Sequence, residues 1–199
     1  MLRHYFAERR RQWHLGGLVL VALAVIGAFV VPVREAGAVD WFARRASNEV
    51  NTVFQAAGIV ALLVAAFFAR SRGAATLVAA VMLGVTAAAH LLKLTTGPML
   101  PRPTGSPGGF PSAHATAVCA LAYLLTERWP AGAPLWYGLA ALISWSRWEA
   151  HGHYPYQILA GVLLGLGLAY FLAKRLGPSE PGGVTVAAGI GAEGEDAAG

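Results

Sequence analysis

The chain has 199 residues, of which 56% are apolar and only 13% are charged. Soluble domains carry about 25% charged residues, so this composition excludes an ordinary soluble domain and indicates a membrane protein. The net charge of +5 does not indicate nucleic-acid binding, because the basic residues lie in short connectors between apolar runs. Cys119 is the single cysteine, which excludes an intrachain disulfide.

Six apolar runs predict an all-α, polytopic membrane protein with six transmembrane helices. They cover residues 13–33, 51–69, 73–92, 112–126, 135–147 and 156–173. The first run is longer than the hydrophobic region of a signal peptide and no small-residue cleavage site follows it, so we expect a retained helix. The six runs predict one transmembrane domain over residues 1–176.

Three segments lie outside these runs. Residues 34–50 leave two interpretations open: a short helix at the membrane interface, which Trp41 and Phe42 beside Arg44 and Arg45 favour, or a solvated linker. Residues 93–112 are rich in glycine and proline and predict a loop. Residues 177–199 are rich in Gly, Ala and acidic residues, which predicts a disordered cytoplasmic tail.

The distribution of Lys and Arg predicts the orientation in the membrane. With the N-terminus in the cytoplasm, nine cations lie inside: Arg3, Arg9, Arg10, Arg11, Arg70, Arg72, Arg128, Lys174 and Arg175. Six lie outside: Arg34, Arg44, Arg45, Lys93, Arg102 and Arg147. The protein is therefore expected in the cytoplasmic (inner) membrane, with both termini in the cytoplasm and residues 93–112 on the outer side.

Polar residues gather at the predicted helix ends on that outer side. A phosphoryl group needs fixed cations and N–H donors around its oxygens, and a helix N-terminus supplies such donors. Phosphoryl transfer also needs a nucleophile and a proton donor, roles that two histidines fit. The residues concerned are Lys93, Arg102-Pro103, Pro111-Ser112-Ala113-His114, Ser146-Arg147 and His153.

This pattern resembles the three signatures of the type 2 phosphatidic acid phosphatase (PAP2) superfamily, which shares its site with vanadium haloperoxidases. The resemblance implies a PAP2-like helical bundle in which His153 attacks phosphorus to form a phosphohistidine and His114 protonates the leaving oxygen. It implies no metal ion and no other cofactor. The residues implied to hold the phosphoryl oxygens are Lys93, Arg102, Ser112, Ala113 and Arg147.

Two features depart from the family pattern. Eight residues separate Lys93 from Arg102, where the family has six. Gln157 stands where the family usually has an aspartate that orients the nucleophile. We expect its carbonyl oxygen to accept a hydrogen bond from Nδ1–H of His153, which leaves Nε2 free to attack. On this interpretation Gln157→Asp keeps or raises activity.

The resemblance favours an integral membrane lipid phosphatase that hydrolyses a lipid phosphate or diphosphate on the extracytoplasmic face. A polyprenyl diphosphate is favoured over phosphatidic acid or phosphatidylglycerophosphate. Two alternatives stay open: a lipid phosphotransferase using the same site, and a non-catalytic lipid-phosphate binder or transporter. The expected partners are the lipid substrate and the bilayer, without nucleic acid. Glu149 leaves two interpretations open, a pair with a site arginine or a side chain that faces water, and we favour the second. Gly161 with Gly165 predict close helix packing.

Overall fold

The computed structural model describes residues 2–30, 38–97 and 99–177, and every regular element within them is helical. A π-helical turn, Ala46–Val50, joins α2 to α3, and a 3-10 turn, Pro130–Gly132, precedes α6. The all-α prediction is confirmed for these residues, whereas the predicted tail lies outside them after Gly177. The helices are α1 Leu2–Val30, α2 Ala38–Arg45, α3 Asn51–Phe68, α4 Arg72–Thr96, α5 Ala113–Arg128, α6 Ala133–Glu149 and α7 Pro155–Leu176.

Three of the described helices are long and apolar enough to cross a membrane: Val39–Phe68, Arg72–Thr96 and Pro155–Leu176. They indicate a membrane protein, but the prediction of six spans is confirmed only in part. Helices α5 and α6 have 16 and 17 residues. At 1.5 Å per residue they measure about 24–26 Å, less than the ~30 Å of a hydrocarbon core.

Helix α5 lies at the centre of the bundle and packs against α1, α3, α4, α6 and α7. Its side chains are buried on all sides, as Val118, Leu121 and Leu125 illustrate, because the other helices surround it. The outer helices instead expose large apolar side chains, among them Val53, Phe67, Leu83 and Leu163. A surface of this kind is expected to face lipid.

The segment 34–50 matches neither of the two interpretations left open by the sequence. From Val39 onward the chain is helical without a break to Phe68, so α2 extends the second long helix. Ion pairs one helical turn apart, Asp40 with Arg44 and Arg45 with Glu49, favour this conformation. Burial of Ala43 and Ala46 holds the segment against α6. Residues 34–37 lie outside the described part.

The predicted glycine packing is confirmed between α5 and α7. A Cβ at Gly161 would lie 2.5 Å from the Ser112 carbonyl oxygen, and one at Gly165 would overlap the Thr116 carbonyl oxygen. The backbones therefore approach as closely as small residues permit. The Ser112 N–H also donates to the Gln157 carbonyl at 2.9 Å, which joins the start of α5 to the first turn of α7.

The helix ends form two opposite ends of the bundle. We call the end with the C-termini of α4 and α6 and the start of α5 the site end, and the end with Arg10, Ala69 and Arg128 the distal end. Helix α4 continues to Thr96, so the predicted loop begins at Gly97 rather than at residue 93. Lys93 consequently lies on the last turn of a helix, which fixes its backbone.

Candidate active site

Three cations meet at the site end without an acidic partner. Lys93 comes from α4, Arg102 from the loop and Arg147 from the last turn of α6, and each interacts electrostatically with the other two. The ion pairs among the described residues involve other side chains. Like charges gathered in this way repel one another unless an anion lies between them. The cluster is therefore suited to a phosphoryl group.

Hydrogen-bond donors in this cluster are buried without partners. The Nε atoms of Arg102 and Arg147 and the Oγ of Ser112 each lack a hydrogen-bond partner. Ala113 is the first residue of α5, where a backbone N–H has no partner within the helix. Buried polar groups are costly to leave unsatisfied, so these donors indicate a ligand with several acceptor oxygens.

Arg147 is held in place by two elements. Its Nη1 donates to the Oγ of Ser47, which lies in the π-helical turn. A Cβ at Gly152 would lie 2.6 Å from Nη2, so the guanidinium packs directly on that glycine. Ser47 is 100 residues away in the chain and was missed by the sequence analysis; π-helical turns frequently occur at functional sites.

Two consecutive backbone carbonyls position the other key side chains. Nζ of Lys93 donates to the Gly108 carbonyl at 3.0 Å, and Nδ1 of His153 lies 2.8 Å from the Gly109 carbonyl oxygen. Gly108 has φ +76°, a conformation that favours glycine. Lys93 and Arg102 therefore stay close to each other, and Lys93 stays at the site, although the spacing between them is longer than in the family.

The neighbours of His153 determine its tautomer. Nδ1 contacts two oxygens, the Gly109 carbonyl and the Gln157 Oε1 at 3.2 Å, so Nδ1 carries the proton and Nε2 holds the lone pair. Burial, followed by the charges of Arg147 and Lys93, lowers the pKa of His153 from 6.5 to about 3. The ring is therefore neutral and nucleophilic throughout the range from pH 5 to pH 8.

The side chain of Gln157 makes more hydrogen bonds than the single one to His153 that the sequence predicts. Its Oε1 accepts from Nδ1 of His153 and, at 3.1 Å, from the Tyr154 N–H. Its Nε2 donates to the Pro101 carbonyl at 2.8 Å and to the Tyr156 hydroxyl at 3.2 Å. The side chain is fully buried, and its amide joins the loop to α7. A carboxylate cannot make the two donated bonds, so the structure reverses the expected effect of Gln157→Asp.

Gly109 is the site residue that the sequence analysis missed altogether. Its carbonyl is the nearer of the two acceptors for His153. A Cβ at this position would lie 2.5 Å from Gln157 Nε2, 2.7 Å from the Leu100 oxygen and 2.8 Å from the Pro101 carbonyl carbon. Only glycine fits here without moving the loop. The sequence indicated Gly109 as a loop residue and nothing more.

His114 is the second residue of α5 and lies near all three cations of the cluster. Its ring is partly exposed and makes no hydrogen bond within the described part of the chain. A side chain in this position is free to reach a ligand oxygen. The structure thus brings together every residue of the predicted site, whereas the catalytic roles assigned to them stay predictions.

Two other polar residues lie near the site end, Glu149 in a buried position and His90 in an exposed one. Glu149 is only 4% exposed, so the expectation that it faces water is wrong; it lies where α6 packs into the bundle. His90 is exposed and its Nδ1 bonds to the Thr86 carbonyl of its own helix. Among the described residues, no three His, Cys, Asp or Glu side chains are grouped in a way that would hold a metal ion.

Comparison with known proteins agrees with the residue pattern. The family model of the PAP2 superfamily matches residues 90–178, a stretch that holds both histidines and all three cations. No curated protein and no solved structure matches the chain. This match confirms the resemblance to the PAP2 superfamily that was drawn from the three signatures, over residues 90–178.

Proposed function

We propose that this protein is an integral membrane phosphatase that hydrolyses a lipid phosphate or diphosphate through a phosphohistidine. The match to the PAP2 superfamily model suggests phosphatase activity. One observation carries the finer proposal: Arg147 and Lys93 lie near a neutral histidine whose Nε2 lone pair is free, and Arg102, Ser112 and Arg147 have buried donors without partners. Preorganised cations beside an activated nucleophile are the elements that phosphoryl transfer requires.

The proposed reaction has two steps. Burial and the three cations lower the pKa of His114 from 6.5 to about 4, so His114 takes up its proton when the negative charge of the bound phosphoryl group offsets those cations. Nε2 of His153 attacks phosphorus, the bond from phosphorus to the leaving oxygen breaks, and His114 gives that proton to the leaving oxygen. Water then attacks the phosphohistidine, His114 takes a proton from the water, and inorganic phosphate leaves with Nε2 of His153 restored. The three cations hold the non-bridging oxygens, while the Gly109 carbonyl stabilises the proton that stays on Nδ1.

Support for a lipid substrate comes from the surface beside the site. Leu91, Leu94 and Met99 are 63%, 79% and 80% exposed, next to the loop that holds Arg102. An apolar chain entering from the bilayer would lie against such a surface. Within this class we favour a polyprenyl diphosphate over phosphatidic acid or phosphatidylglycerophosphate, with the site on the outer face of the inner membrane.

The purified protein is expected to release inorganic phosphate from undecaprenyl diphosphate faster than from phosphatidic acid or phosphatidylglycerophosphate, assayed at equal detergent concentration. Activity should survive EDTA and be inhibited by vanadate, which forms a trigonal-bipyramidal mimic of the transferring phosphoryl group. A strict requirement for a divalent ion would contradict the mechanism. Phosphate transfer to an added alcohol without release would indicate a phosphotransferase, and binding without turnover a lipid-phosphate binder.

The orientation has its own test in intact cells. In a Cys119→Ala background, a cysteine at Thr104 should react with a membrane-impermeant thiol reagent, and one at Ala131 should not. Both positions are exposed turns, at the site end and the distal end respectively, so they form a matched pair. Labelling of Ala131→Cys alone would place the site in the cytoplasm and overturn the predicted topology.

A further inference from the structure

A cavity lies at the distal end of the bundle, away from the candidate active site, where α1, α5, α6 and α7 meet. Its volume is about 400 Å³, within the range of small-molecule sites. Glu127, which lines the cavity, is thirteen positions after His114 on α5, so the two sites lie about 20 Å apart. The proposed phosphatase reaction makes no use of this cavity.

One end of the cavity is polar and tightly organised. Both ring nitrogens of His14 are bonded, Nδ1 to the Tyr137 hydroxyl and Nε2 to the Glu127 carboxylate, each at 2.8 Å. The same carboxylate accepts from Nη1 of Arg10 at 3.2 Å. Such a network fixes the positions of His14, Tyr137 and Glu127, because both ring nitrogens and the carboxylate have defined partners.

The polar end of the cavity carries a net positive charge. Arg10 and Arg11 contribute two cations and Glu127 one anion, so the formal balance of these three groups is +1. Nε of Arg10 is buried without a partner, and Arg11 takes part in none of the ion pairs of the described residues. The cavity therefore offers guanidinium donors to an anionic group.

The rest of the cavity is apolar and runs along the helices. Leu15 and Leu18 follow Arg11 on successive turns of α1, and Leu166 faces them from α7. Leu15 and Leu18 are 52% and 40% exposed, so this trough opens toward the surrounding lipid. Because α1 runs from the distal end toward the site end, the trough leads from the cations toward the interior of the bilayer.

We infer that this cavity binds a membrane lipid with a monoanionic phosphodiester headgroup. The phosphodiester lies between Arg10 and Arg11, and one acyl chain lies along Leu15, Leu18 and Leu166. The surplus of a single positive charge matches one negative charge, and basic pockets between membrane helices are suited to lipid phosphates. Such a lipid bridges α1 and α7 and stabilises the bundle from the end opposite the catalytic site.

The test measures the thermal midpoint of the full-length protein in detergent against added lipid. Dioleoyl phosphatidylglycerol should raise the midpoint more than phosphatidylcholine with the same chains. Arg11→Gln should weaken the phosphatidylglycerol effect about tenfold in lipid concentration, since it removes charge-assisted hydrogen bonds. Lys174→Gln is the matched control, because Lys174 is an exposed cation at the same end outside the cavity. It should respond like the wild type.

A second variant tests the apolar trough without changing charge. Leu18→Trp fills the trough and should also weaken the phosphatidylglycerol effect, while its midpoint without lipid and its phosphate release show that it is folded. Equal responses of Arg11→Gln and Lys174→Gln would mean adsorption by bulk charge and overturn the inference. So would an unchanged response of Leu18→Trp, or full stabilisation by inorganic phosphate alone.

Discussion

Replacing His153 with alanine is expected to abolish phosphate release, by roughly 10⁴-fold or more, because the reaction loses its nucleophile. The variant should also form no acid-labile phosphoenzyme when it is mixed with radiolabelled substrate and quenched. Substrate binding should persist, since Lys93 and Arg147 are held by contacts that do not involve His153. A rise in the thermal midpoint of the variant on adding substrate therefore separates loss of chemistry from loss of the site.

His114→Ala should give a different pattern. A missing general acid costs about 10²–10⁴-fold for a poor leaving group such as a lipid alcohol, and far less for p-nitrophenolate, which leaves without a proton. The matched control is His90→Ala, an exposed histidine on α4 that bonds only within its own helix and should keep full activity. Turnover of the His153→Ala protein at more than a trace would refute the proposed nucleophile.

Gly109→Ala is expected to lower kcat by about 10²-fold and to raise KM. The added methyl group would overlap Gln157 Nε2 and two backbone atoms, so the loop must move and take the carbonyl away from Nδ1 of His153. Displacements near 1 Å in a reacting group cost rates of this order. KM should rise because the same loop carries Arg102 and bonds to Lys93 through the Gly108 carbonyl.

Gly138→Ala is the matched control for this substitution, because no atom lies within 4 Å of a Cβ at Gly138 and the residue is in the middle of α6.

Gln157→Glu tests the other residue that bonds to Nδ1 of His153. It retains the length of the side chain but places carboxylate oxygens against the Pro101 carbonyl, so activity should fall as well. Wild-type kcat in both Gly109→Ala and Gln157→Glu would mean that His153 does not depend on this loop.

The side chains of the candidate site could be predicted from the sequence, whereas the backbone carbonyls that position them could not. Lys93, His114, Arg147 and His153 were recognisable because their types and spacing match a reaction. The carbonyls of Gly108 and Gly109 do as much to position Lys93 and His153, but every residue has a carbonyl, so no residue type indicates which one accepts. The close packing that makes Gly109 necessary depends on the path of the loop in space.

Contacts between residues far apart in the chain could not be predicted from the sequence either. Ser47 contacts Arg147 only because α2 continues into α3 and packs on α6, and the mixed composition of residues 34–50 gave no periodicity strong enough to predict that helix. The apolar runs did locate the helices, with ends shifted by a few residues at α4 and α7, although α1 begins at Leu2, eleven residues before the first run. Glu149 was misjudged since its burial follows from helix packing, not from its neighbours in the chain.

The cluster of Lys93, Arg102 and Arg147 also links the stability of the protein to its own reaction. Anything that binds the folded protein alone stabilises it by mass action, by about 1.4 kcal/mol when a ligand is present at ten times its dissociation constant. In the proposed reaction, substrate, phosphohistidine and product phosphate would each place negative charge among these cations. On that proposal, the protein between two turnovers is the least stable species of its cycle, and a steady supply of substrate protects it against unfolding.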